Sequence, residues 1–102
     1  MKIQVKTKLW IDDFRTPPDE TFYWAKTYGQ ALYCIDMMMR LKRIDFISFD
    51  HDLGDIKSGY DIAKYLVEKQ IPVNEYSVHS ANPVGRFNIE QLLNHYGYKK
   101  HN

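Results

Sequence analysis

The run "FISFDHDLGD", Phe46 to Asp55, decides how the chain reads. Phe46, Ile47, Ser48 and Phe49 are apolar or small without a polar alternation, as expected of a strand covered on both faces in a parallel sheet. Directly behind them stand Asp50, His51, Asp52 and Asp55, with Gly54 among them. Carboxylates so close repel one another, so something must offset them. The run therefore predicts a central strand, "IDFISFD", whose carboxyl end opens into a charged site.

Working outward, the same logic recovers the rest of the fold. "KTKLWID" is β-branched and aromatic and meets Asp12-Asp13, which predicts a first strand ending in a loop. Two prolines in "FRTPPDE" forbid a continuing helix or a central strand and predict a stiff connection. "TFYWAKT" predicts a second strand. From Tyr28 to about Arg43, Ala31, Leu32, Ile35, Met38 and Met39 recur at three- and four-residue steps, the spacing of a helix with one buried face. Cys34 on this helix reads as a small buried hydrophobe. Behind the central strand, Ser58 and Asp61 form an S-x-x-D capping pattern, and Ile62, Ala63, Leu66 and Val67 repeat at helical spacing up to Gln70. "VNEYSVHS" predicts a fourth strand. Asn82 as cap and Pro83 at the first helical position open a third helix, with Ile89, Leu92, Leu93 and Tyr96 buried and Gly97 as its stop.

Strand and helix alternate, so the expected architecture is a three-layer α/β sandwich around a mainly parallel sheet. A length of 102 residues fits one domain, 1–102, and a hydrophobic content of 44% is enough to give it a core. A net charge of +1 excludes a dense cationic face for extended duplex nucleic acid, which needs many phosphate neutralisations. A single cysteine excludes an intramolecular disulfide and a paired-cysteine metal knuckle. "MKIQVKTKLW" lacks a continuous apolar run, so neither a signal peptide nor a membrane span is expected, and a cytoplasmic location is.

In open α/β sheets, ligands sit outside the carboxyl ends of the strands. Asp12-Asp13 closes the first strand, Asp50-His51-Asp52 the third, and His79-Ser80-Ala81-Asn82 the fourth. Clusters up to seventy positions apart are thereby expected on one edge of the fold.

These motifs, in this order, resemble the receiver domain of bacterial response regulators. Such a domain has an acidic pair after its first strand, a phosphate-accepting aspartate after its third, and Ser or Thr followed by Ala after its fourth. Asp12-Asp13, Asp50 and Ser80-Ala81 match. More closely, "LWIDDFRTPP", "FDHDLG", "SGYDIAKYL" and "HSANPVGRFNI" resemble the divergent receivers called cyclic-phosphate-processing receiver domains. The resemblance implies a flavodoxin-like fold and the processing of cyclic phosphates, such as the 2′,3′-cyclic ends left by RNA cleavage. Two departures from ordinary receivers stand out. The fifth strand with its lysine, and the fifth helix, are missing or reduced to "YKKHN", with Lys99 or Lys100 as the substitutes on offer. His51 and His79 also stand where a signalling relay needs no imidazole. Both departures favour an enzyme over a phosphorylation switch at Asp50.

The residues carry a matching chemistry. Asp12, Asp13, Asp50 and Asp52 are the expected ligands of a divalent cation, Mg²⁺ or Mn²⁺, because such ions take oxygen donors; the plainer reading has aspartates capping strand ends. His51 and His79 are expected as an acid–base pair with Asp50 beside them, since cyclic phosphodiesters need a proton removed from water and another given to the leaving oxygen. As alternatives, histidines are satisfied polar residues, or ligands of a softer metal such as Zn²⁺. Ser80, Asn82 and Arg86, at the start of the third helix, read as a phosphate cradle, with Arg15 reaching the same anion or pairing with Asp19. Trp10, Trp24, Tyr23 and Tyr60 stack a base or fill the core. The expected partner is a cyclic-phosphate nucleotide or an RNA terminus. The rival reading is a non-catalytic module that binds a phosphorylated or cyclic nucleotide, or a protein.

Overall fold

Strands that run parallel need crossover connections, and the helical segments between the apolar runs supply them. The computed structural model describes residues 5–102, so the first four residues of "MKIQVKTKLW" lie outside the described residues. The elements are β1 (Lys8–Ile11), β2 (Phe22–Ala25), α1 (Tyr28–Leu41), β3 (Phe46–Phe49), α2 (Gly59–Glu68), β4 (Glu75–Val78) and α3 (Pro83–His95). All four strands are parallel, in the order β2-β1-β3-β4. This is the receiver-like, flavodoxin-like α/β arrangement expected from the sequence. Among the described residues no helix is long and apolar enough to cross a membrane.

The local signals act as read. Ser58 and Asp61 form a reciprocal capping box at the start of α2. Asn82 caps α3 by accepting from the Gly85 amide, with Pro83 at the first helical position. Gly97, at φ +87°, takes the left-handed conformation that ends α3, which costs a residue without Cβ little.

The three helices lie on one face of the sheet. Right-handed crossovers β2–α1–β3 and β3–α2–β4 move in the same direction across the sheet and so lay their helices on the same face. Consistently, α1 touches α2, α2 touches α3, and Tyr76 of β4 donates its hydroxyl to Asn94 Oδ1 of α3 at 2.5 Å. Leu9, Ile11, Ile47, Phe49, Tyr76 and Val78 point to that side and form the core with Ala31, Ile35, Ile62, Leu66, Ile89 and Leu93. The β1–β2 connection, with Pro17 and Pro18, is a loop and not a helix. Among the described residues, no helix covers the opposite face. That face carries Trp10, Phe22, Phe46 and Ser48; Phe22 meets Trp10 and Phe46 edge-on, each at 6.0 Å between centroids, under the Lys8 ammonium at 4.7 Å.

The segment "YKKHN" adds a single isolated bridge to the sheet. Tyr76 and Lys100 form one parallel bridge beside β4, through Tyr76 N to Lys99 O at 3.0 Å and His101 N to Tyr76 O at 2.7 Å. Its lysines do not reach the acidic edge: Lys99 pairs with Glu75 at 3.7 Å and Lys100 with Glu90 at 2.9 Å.

Candidate active site at the carboxyl edge of the sheet

Asp12 leaves the end of β1 almost fully buried and is held from every side. Its Oδ1 accepts the backbone amides of Phe14 at 2.8 Å and Arg15 at 2.7 Å, closing the loop into a tight turn. Its Oδ2 meets His79 Nε2 at 3.0 Å and Arg15 Nε at 3.6 Å. Its backbone carbonyl accepts the Trp24 indole N–H at 2.7 Å. Asp13, next along, is exposed. Asp50, at the end of β3, is buried, and one of its oxygens accepts the His51 amide at 2.8 Å. Asp12, Asp13 and Asp50 can each place one carboxylate oxygen within 4.8 Å of the others.

Asp52, the fourth expected metal ligand, is not in this group of three. It stands away from the three, exposed, accepting His51 Nδ1 at 2.9 Å and Asn82 Nδ2 at 3.2 Å. Three residues beyond the end of β3, its side chain turns toward Asn82 at the start of α3.

Burial dominates the electrostatics, and the two inner carboxylates respond in opposite directions. Burial pushes Asp50 up from its ordinary value, the charge of Asp12 pushes it further, and the His51 amide, the Ser80 hydroxyl and His79 oppose. Burial pushes Asp12 up as well, but the amides of Arg15 and Phe14 together with His79 outweigh it and bring it below the usual range. Asp12 therefore carries the settled charge of the pair. Burial also pushes His79 down, against the pull of Asp12, so the ring is neutral at pH 7.

The two histidines occupy different situations. His79 is engaged at both nitrogens, Nε2 on Asp12 and Nδ1 on Ser48 Oγ at 2.7 Å, and Ser48 bonds Ser77 in turn at 2.8 Å. Its ring lies flat on Trp10, with centroids 3.8 Å apart. His51 is held at Nδ1 by Asp52, and among the described residues Nε2 has no hydrogen-bond partner. Asp52 accepting from Nδ1–H leaves Nε2 as the lone-pair nitrogen. The His51 ring packs against the first turn of α3 at Gly85, where any Cβ would strike it.

The expected phosphate cradle divides similarly. Ser80 is buried beside Asp50, and its Oγ accepts the Asn82 amide at 3.1 Å. Asn82 spends its side chain on the α3 cap and on Asp52, whereas Arg86 presents an exposed guanidinium on the first turn. Arg15 does not pair with Asp19, which caps Thr21; it stays by Asp12 and reaches the His79 carbonyl at 3.4 Å.

Supporting residues escaped the sequence reading. Ser48 and Ser77 face each other in register on β3 and β4, and a polar residue at matching positions of two apolar strands was the available signal. Gly59 packs so tightly under the Asp50 carbonyl that a Cβ there would overlap it. Gly54, at φ +62°, brings the β3–α2 loop against Asp13, leaving 3.1 Å between an added Cβ and Asp13 Oδ2.

The family model of the cyclic-phosphate processing receiver domain matches residues 7–95, from the residue before β1 to the end of α3. No curated protein and no solved structure matches the chain.

Proposed function

The chain belongs to the family of cyclic-phosphate processing receiver domains, and on that premise we propose that its carboxyl edge hydrolyses a cyclic phosphodiester on a nucleotide or an RNA end with the help of a divalent cation. The observation that carries this is the convergence of Asp12, Asp13 and Asp50 within 4.8 Å, with His51, whose imidazole Asp52 fixes, following Asp50 in the chain.

An all-oxygen donor set of three carboxylates fits Mg²⁺ or Mn²⁺, which favour hard oxygen ligands. Asp13 and Asp50 have the most oxygen valence left for it, and Asp12, whose orientation His79 holds, completes the set. Such an ion, when bound, neutralises charge on the phosphoryl oxygens.

The proton chemistry belongs to His51. Its Nε2 takes a proton from water as the water oxygen bonds to phosphorus, and Asp52 stabilises the imidazolium that results. One ester P–O bond breaks, the leaving oxygen receives a proton from the imidazolium, and the products are a phosphomonoester and a free hydroxyl on the same sugar. His79 is a positioning residue: with both nitrogens engaged, it fixes the carboxylate of Asp12. Ser80, Arg86, Arg15 and the α3 amides that Asn82 does not cap receive the anion.

The engaged state of His79 also favours a second reading, a module that binds cyclic phosphates without turnover, because only one imidazole remains for proton transfer. Phosphorus NMR of 2′,3′-cyclic, 3′,5′-cyclic and ADP-ribose-type cyclic phosphates, with Mg²⁺, Mn²⁺ or chelator, separates the two. Turnover that chelator stops, and that His51→Ala lowers by roughly 10²–10⁴-fold in kcat, is the expected result. His79→Ala should instead raise the cation concentration required for half-maximal rate. Binding without product under any metal leaves the module reading, and full turnover by His51→Ala removes the proton assignment.

A further inference from the structure

The turn that holds Asp12 also builds a second feature. By accepting the amides of Phe14 and Arg15, Asp12 fixes the backbone of the loop, from which Phe14 stands out into solvent while Arg15 keeps its guanidinium beside Asp12. They line an open cavity of about 510 Å³ with Trp10, Thr16 and Pro18, a size within the range of about 300–1,000 Å³ for small-molecule sites. Phe14 is 85% exposed, a phenyl ring presented to solvent beside a charged site. Trp10 is the opposite, a rigid wall: its indole N–H donates to the Arg15 carbonyl at 2.8 Å and its ring rests on His79. Arg15 supplies a cation between this cavity and Asp12.

We infer that this cavity is the base subsite of the enzyme, where the nucleobase attached to the cyclic phosphate stacks on Phe14 and Trp10 while Arg15 stands toward the phosphate. The inference rests on the cyclic-phosphate reading and deepens it, because it assigns the residues that hold the base of the nucleotide and makes that base a determinant of binding. Three observations support it independently of one another: flat aromatic walls suit a π-face, a guanidinium suits both a π-face and an anion, and one five-residue stretch, Asp12 to Thr16, joins the cavity to the acidic cluster. Base–aromatic stacking tolerates every base, so the subsite selects for a base without choosing which.

The test compares adenosine 2′,3′-cyclic phosphate with the cyclic phosphate of 1-O-methylribose, its base-free counterpart, by tryptophan fluorescence and by calorimetry in Mg²⁺. Wild type is expected to bind the nucleotide about 5- to 150-fold more tightly, the worth of one stacked base. Binding of the nucleotide should quench Trp10, which Trp24→Phe isolates as the signal. Phe14→Ala, at a position too exposed to unfold the chain, should bring the ratio between the two ligands close to one. Equal affinity of wild type for both ligands, or an unchanged ratio in Phe14→Ala, overturns the subsite and leaves the cyclic-phosphate reading standing. Conversely, if neither cyclic phosphate binds but adenosine alone quenches Trp10, and Phe14→Ala abolishes that quench, the base subsite stands and the cyclic-phosphate reading falls.

Discussion

Replacing Asp50 by Asn should make the metal-free protein more stable. Asp50 and Asp12 are both buried, with oxygens that come within 4.8 Å of one another. Two unit charges at that separation repel by about 3.5 kcal/mol at an effective dielectric of about 20, and by about 1 kcal/mol in water. Asn keeps an oxygen for the His51 amide and offers a donor where Asp50 offered a second charge, so little is lost in exchange. A net gain of about 1–3 kcal/mol is expected, which for a domain of this size raises the melting temperature by about 4–8 °C per kcal/mol. The pH dependence fixes the cause. Asp50 titrates above its ordinary 3.8, with burial first and Asp12 second as the reasons. Its protonated form is thus favoured by folding, and the stability it provides is full below 3.8 and is lost as pH rises through the folded value. Asp50→Asn should accordingly exceed wild type at pH 7 and converge on it as pH falls toward 4. Thermal unfolding followed by circular dichroism in chelator, across that range, measures both. In Mg²⁺ the order should narrow or reverse, since only wild type keeps the full ligand set. An Asn variant that melts below wild type in chelator at pH 7 refutes the reasoning, because the carboxylates would then not be in conflict.

Gly59→Ala should destabilise by more than about 2 kcal/mol despite the better helix propensity of alanine, since its Cβ would overlap the Asp50 carbonyl and α2 would have to lift from the site; a urea midpoint equal to wild type contradicts the packing. Burial, with the Glu90 charge added, raises Tyr76 to about 12. Its folded value lies above its unfolded value of about 10, so about 2–3 kcal/mol should be lost between pH 10 and 12. Tyr76→Phe should lack that loss, and parallel alkaline slopes for both proteins exclude Tyr76 as its source.

Element positions were legible because their signals are local. Ser58 and Asp61 are three positions apart and Asn82 sits beside Pro83, so their caps follow from neighbours alone. The convergence of Asp12, Asp13 and Asp50 was legible for a different reason: in a parallel sheet every strand ends on the same edge. What the sequence hid depends on direction at the ångström scale. Asp52 is two residues from Asp50 yet turns to His51 and Asn82. His79 and His51 both follow strands, yet one is saturated with bonds and the other keeps a nitrogen open. The face that each helix takes was not legible, because strand–helix alternation does not state it; the crossover direction does, and it needs the strand order.

The helix-free face of the sheet has a consequence for how the acidic edge can be reached. Trp10 belongs to that face, and His79 lies flat against Trp10 with its far nitrogen on Asp12. Trp10 therefore serves two places at once, as part of the bare face and as the support of the imidazole that holds Asp12 at 3.0 Å. The carboxylate edge thus has a front, open to small molecules, and a back wall that is itself a surface.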